Sequence, residues 1–171
     1  DRDAENLERW DVHPSGGEFF TTYRNTYRTQ IDVVLRSGYS VLNACDEVVA
    51  ELAELSDGEV IFFATDPACP AMAAHLAEGQ RGVFVRDGRI TLASGRDEIR
   101  VCRLGDVPVI GKQKDPATIA NVLAAVAAGW ALGLTQEVIG TGVKTFGLEL
   151  PDPAALLPQR AGKSPAATAR N

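Results

Sequence analysis

Histidine and cysteine, the side chains that most often hold metals or act as nucleophiles, are scarce in this 171-residue chain. There are two histidines, His13 and His75, and three cysteines, Cys45, Cys69 and Cys102. The cysteines are odd in number, widely spaced and form no CxxC pair. That argues against a disulfide framework or a zinc site and for a reducing, cytoplasmic setting. The chain also has no GxxxxGK[ST] phosphate loop, no GxGxxG turn and no HExxH motif. No apolar run approaches the roughly 20 residues of a membrane span, and no signal peptide opens the chain. Excess positive charge is missing too. Seventeen Lys and Arg against 23 Asp and Glu leave a net charge of −6, with no electrostatic footprint for a nucleic-acid backbone. The first residue is Asp1 rather than Met, so the expectation is a segment of a longer protein.

What is present reads as one soluble α/β domain, with 45% hydrophobic and 23% charged residues. Residues 1–18 are polar and irregular, an opening segment. Phe19, Tyr23, Tyr27, Ile31, Val34 and Leu35 recur every three to four positions and predict an amphipathic helix that ends at Gly38. Tyr39–Asn43 predicts a short strand, and Asp46 a cap for a second helix carrying Val48, Val49, Leu52 and Leu55. Glu59–Ala64 is an almost unbroken apolar run, as expected of a parallel strand covered on both faces. A short helix is expected from about Pro70.

Then the period changes to two. Val83 and Val85, the turn Asp87-Gly88, then Ile90 and Leu92 predict a hairpin, with Ile99 and Val101 as a third antiparallel strand. This hairpin is expected as a flap separate from the βαβ unit. Asp115-Pro116 opens a helix whose buried face is Ile119, Val122, Leu123, Val126 and Trp130. Thr135 caps another, with Val138, Ile139, Val143 and Phe146 as its apolar side. Residues 148–171 form a Pro/Ala-rich tail, expected to be disordered.

Two patterns can carry chemistry. Val41-Leu42-Asn43-Ala44-Cys45-Asp46 is a strand ending in polar residues at a helix start, the place where open α/β sheets bind ligands. Ile119-Ala120-Asn121-Val122-Leu123-Ala124-Ala125 is a small-residue helix with one asparagine, whose amide offers the donor and the acceptor that an adenine edge needs. A plain turn with a helix cap, and ordinary helix packing, are open readings of the same residues. His13 lies in a Gly-rich loop beside Asp11; His75 on an Ala-rich helix is read as a surface or packing residue, and the cysteines as packing residues.

The stretch Arg28-Thr29-Gln30-Ile31-Asp32-Val33-Val34-Leu35, followed by Val41-Leu42-Asn43-Ala44, resembles the cyanophycin synthetases of the Mur ligase superfamily. So do Asp57–Phe63 and Gly82–Gly88. The likeness runs over roughly residues 11–147. It implies the C-terminal part of a Mur-type central ATP-binding domain, spanning residues 19–147. It further implies an ATP-dependent ligase that uses Mg2+ and joins aspartate and arginine into an amino-acid polymer through an acyl phosphate. On this resemblance Asn121 contacts adenine, Asn43 and Asp46 shape the nucleotide side of the cleft, and His13 supports the metal. No residue is an obvious nucleophile or general base.

Some positions depart from the family. Val12 separates Asp11 from His13, and Ala117 and Thr118 stand where relatives carry a His-Asn pair. Without its phosphate loop the chain is expected to be inactive alone. Two alternatives are a different Mur-superfamily amide ligase and a non-catalytic oligomerisation or binding module. In the module reading the strand Val60–Phe63 would form an open sheet edge and a homo-oligomer would result.

Overall fold

The period-two and period-3.6 stretches fold as one sheet between two helical layers in a computed structural model that describes residues 26–111 and 115–148. The opening segment, with His13, and residues 149–171 of the tail lie outside the described residues. The five strands are β1 (Tyr39–Asn43), β2 (Glu59–Ala64), β3 (Arg81–Arg86), β4 (Arg89–Ser94) and β5 (Asp97–Arg103). They lie side by side in chain order. β1, β2 and β3 run parallel, with Val41 opposite Ile61 and Phe63 opposite Val83. β3, β4 and β5 run antiparallel.

The hairpin is therefore not a separate flap. β3 hydrogen-bonds to β2 on one side and β4 on the other, so parallel and antiparallel halves share one sheet. A second expectation also changes: β2 is an interior strand, and among the described residues the free edge of the parallel half belongs to β1. The hairpin turn falls where Asp87-Gly88 predicts it. Both residues have positive φ (52° and 67°), the combination that a two-residue turn matched to strand twist requires.

Helix α1 comprises residues 26–32 of the described chain. It stops before the predicted Gly38: Ile31 is buried, but Val33 and Leu35 are exposed, so the apolar stripe runs out with the helix. Helix α2 (Glu47–Glu51) is capped by Asp46, whose Oδ1 accepts the Val49 N–H at 3.1 Å. Helix α3 (Pro70–Ala77) starts at its proline. Helix α4 (Pro116–Ala131) is capped by Asp115, which accepts the Thr118 N–H at 3.0 Å, and α5 (Gln136–Thr145) by Thr135.

Alternate strand residues feed two cores. Ile61, Val83, Ile90, Leu92 and Cys102 face α4 and α5 and meet Leu123, Val126 and Ile139. Leu42, Phe62, Phe84 and Ala93 face the other way, onto Val49, Leu52 and Met72. With both faces covered, β4 is buried at four successive positions, Ile90 to Ala93, although its sequence alternates. Truncating a fully buried side chain such as Leu123 to alanine costs on the order of 2–5 kcal/mol.

Candidate functional site

The orientation of α4 sets where the site can be. Near its C-terminal end, the Trp130 ring lies 4.8 Å from the Arg81 guanidinium, and that guanidinium lies 5.2 Å from the Tyr39 ring. Arg81 and Tyr39 open their strands. The C-terminal end of α4 thus sits at the amino edge of the sheet, and α4 runs antiparallel to β1–β3. Its capped N-terminus points toward the carboxyl edge, where Asn43 and Ala64 close β1 and β2. Nine residues separate Asn121 from Trp130, about 13.5 Å along a helix. Four separate Tyr39 from Asn43, about 13 Å along a strand. Asn121 and Asn43 therefore stand at a similar level along the strand direction, toward the carboxyl edge.

Asn43 and Asp46 share the loop between β1 and α2. Asn43 Oδ1 accepts the Cys45 N–H at 3.0 Å, an Asx turn that bends the chain out of the strand. The loop backbone is pinned to the neighbouring strand, with Ala44 N–H donating to the Phe63 carbonyl at 2.9 Å. By strand alternation Asn43 follows Val41 on the α4 side of the sheet. Asp46 spends a carboxylate oxygen on the α2 cap, which makes it a structural anchor of this loop whatever else it touches.

Asn121 is exposed and opens on a different space. It lines a groove of about 570 Å³ between α4, α5 and the one-turn segment Pro108–Ile110. The walls include Val107, Val109, Ala125, Val138, Val143 and Phe146, with Thr118 and Asn121 as the polar rim. Neither Asn43 nor Asp46 lines it. The sequence-predicted residues are thus split between two places, the strand-end loop and the groove. Residue periodicity missed the groove itself. Val138 and Phe146 read as the buried side of α5, yet they are 53% and 70% exposed. The signal was an apolar side wider than its neighbours could cover.

A groove of this volume and apolar lining has room for a flat ring system. Magnesium is different. Among the described residues no group of three or more His, Cys, Asp or Glu side chains could hold a metal ion, and His13 lies outside them. The described part of the chain does not fit a metal centre by itself. Nor, among the described residues, is any helix long and apolar enough to cross a membrane.

His75 is accounted for locally. Its Nε2 lies 3.2 Å from the Val60 carbonyl and 3.1 Å from that of Arg81, bridging β2 and β3, and its ring meets Phe62 edge-on. Burial pushes its pKa below the usual histidine value, against the smaller opposing effect of the two carbonyls. It is a packing residue, as its sequence setting suggested.

No family model matches the chain. Among curated proteins it is similar to the cyanophycin synthetase of Synechocystis sp., 35% identical over 115 residues, which is 67% of this chain and 13% of that protein. It is similar to the cyanophycin synthetase of Geminocystis herdmanii, 32% identical over 64% of this chain and 12% of that one. A more distant likeness, 24% identity over 80% of this chain and 25% of the relative, is to UDP-N-acetylmuramoylalanine--D-glutamate ligase of Bacillus mycoides. The chain spans about an eighth of the length of the cyanophycin synthetases it matches. The mixed α/β sheet and this likeness agree: the chain is a Mur-ligase-type segment similar to part of the cyanophycin synthetases.

Proposed function

We propose that this chain supplies the C-terminal part of the nucleotide-binding domain of an ATP-dependent amino-acid ligase, and that Asn121 holds the adenine edge. The reading is carried by one coincidence: a cyanophycin-synthetase-like chain has a lone asparagine among the lining of an apolar groove with room for a base. The amide donates to and accepts from an adenine edge while the valines and Ala125 enclose the ring. Thr118 lies on the same rim with its hydroxyl donating to the Asp115 cap at 2.8 Å, at a position where the resemblance leads one to expect a different polar residue. Asn43, with the loop that Asp46 anchors, forms the nucleotide side of the cleft.

When bound, ATP with Mg2+ supplies an activated phosphoryl group to a substrate carboxylate. Phosphoryl transfer asks a protein mainly for positioning and charge neutralisation, which agrees with the lack of a nucleophile here. The chain carries no phosphate loop of its own, and on this reading His13 lies near the metal. The substrates of the proposal are an amino-acid polymer end and free amino acids, aspartate and arginine in the cyanophycin case.

The test is ADP release by the full gene product that contains this sequence, supplied with ATP, magnesium, aspartate, arginine and a short primer. Amino-acid-dependent release is expected, and Asn121→Ala should raise the KM for ATP about tenfold, the loss of one or two adenine hydrogen bonds. Release that ignores both amino acids, or an unchanged KM in the variant, would contradict the proposal.

A second reading, a non-catalytic oligomerisation module, draws on the β1 edge, unpaired among the described residues, and the exposed apolar rim of α5. A stable homodimer with no nucleotide response would favour it.

A further inference from the structure

Two of the three cysteines meet at the carboxyl edge of the sheet. Cys45 lies in the loop after β1 and is exposed; Cys69 opens α3 and is half-buried against the second core. Both converge on one atom in the loop after β2. Cys45 Sγ lies 3.9 Å from the Asp66 carbonyl oxygen, and the Cys69 N–H donates to that same oxygen at 3.4 Å. The Cys45 thiol is near enough to Cys69 to help raise its pKa.

The backbones that carry them are held on both sides. Asn43 and the Ala44–Phe63 hydrogen bond fix the first loop, and Asp66 Oδ1 fixes the second by accepting the Ala68 N–H at 2.9 Å. Neither thiol is needed by the ligase reading. Cys102 is apart from them, buried in the core on the opposite face of the sheet.

We propose that Cys45 and Cys69 form a reversible dithiol–disulfide pair that staples the β1–α2 loop to the β2–α3 loop. The oxidant is a low-molecular-weight disulfide such as oxidised glutathione. The Cys45 thiolate attacks one sulfur of that disulfide and expels one thiolate, giving a mixed disulfide. The Cys69 thiolate then attacks Cys45 Sγ and expels the second. One protein S–S bond forms and the reagent's S–S bond breaks. The two protons from the protein thiols end on the two released thiols. The protein loses two electrons and the reagent gains them.

Exposure makes Cys45 the sulfur that reacts first. Burial raises the Cys69 pKa, with contact from Cys45 adding to it, which suits Cys69 to the second, intramolecular step. Burial likewise raises the Cys102 thiol and keeps it out of the exchange. The staple crosses the loop that carries Asn43 and Asp46, so oxidation stiffens the cleft edge. The pair stands on the two loops meeting at the Asp66 carbonyl and survives if the ligase reading fails.

The test uses the full 171-residue chain, reduced, then equilibrated in glutathione buffers of increasing oxidised fraction at low protein concentration. Free-thiol titration should fall from three to one, and peptide mapping should show Cys45 joined to Cys69. Melting should shift upward by about 5 °C or more on oxidation, because a closed loop restricts the unfolded chain. Cys69→Ser should stop at a Cys45–glutathione mixed disulfide, and Cys102→Ser should behave like the parent. Circular dichroism of each reduced variant establishes that it is folded. A parent chain that stops at mixed disulfides, pairs Cys45 between molecules, or joins Cys102 instead would overturn the proposal.

Discussion

Thr91 shows how a single atom can be out of place in an otherwise satisfied core. Its side chain is fully buried in β4, and its Oγ1 has no hydrogen-bond partner. It sits at the register irregularity between Ile90 and Thr91, where β4 and β5 fall out of step. An unpaired buried hydroxyl costs on the order of 1–3 kcal/mol. Thr91→Val keeps the shape and removes that atom, so it should stabilise the chain by about 1 kcal/mol in urea denaturation. A loss of stability would mean that the hydroxyl has a partner in solution.

His75 gives a pH-dependent counterpart. Because burial lowers its folded pKa, the unfolded chain binds the proton more readily. Its contribution is intact above the ordinary histidine value of about 6.5 and is lost as pH falls from there through the lowered folded value. Stability measured between about pH 7 and pH 5 should decline, and His75→Gln should decline less over that window. Equal slopes in the two proteins would assign the effect to other groups.

At the scale of elements, most of the fold was legible in the sequence. Asp46, Asp115 and Thr135 mark helix starts, and all three cap through the backbone N–H three residues on. Asp87-Gly88 marks the hairpin, and Glu59–Ala64 the doubly covered strand. What was illegible is long-range. Nothing local in Val83–Val85 says that β3 pairs with β2 as well as β4, because pairing is decided between strands. The early end of α1 was missed because the apolar pattern continues through Val33, Val34 and Leu35, although Val33 and Leu35 are exposed. The meeting of Cys45 with Cys69 has no sequence signal at all.

One element junction is testable directly. A Cβ at Gly58 would lie 2.5 Å from the Gly38 carbonyl oxygen and 2.8 Å from that of Leu35, both backbone atoms that cannot swing aside. Gly58→Ala should destabilise the chain by about 1–3 kcal/mol, read as a lower denaturation midpoint with an unchanged slope. A neutral result would show that the turn ahead of β2 yields easily.

For the whole molecule, the sequence offers candidate residues but not their arrangement. Asn121 and the strand-end pair could be named from their residue types, but their separation into a groove and a loop could not. Periodicity shows which side of a helix is apolar, and not whether anything lies against it. Val138 and Phe146 therefore read as core and prove to be exposed groove walls.

The groove can be tested apart from catalysis. Adenosine carries the base without the phosphates that the missing loop would hold, so weak binding in the millimolar range, a few kcal/mol, is the expectation. The decisive measurement is an amide-resolved NMR titration of the full chain with adenosine. The account predicts saturable shifts at Thr118, Asn121, Ala125, Gly129 and Val138, together with the Asn121 side-chain amide, and their loss in Asn121→Ala. Shifts confined to other surfaces, or none at several millimolar adenosine, would contradict it.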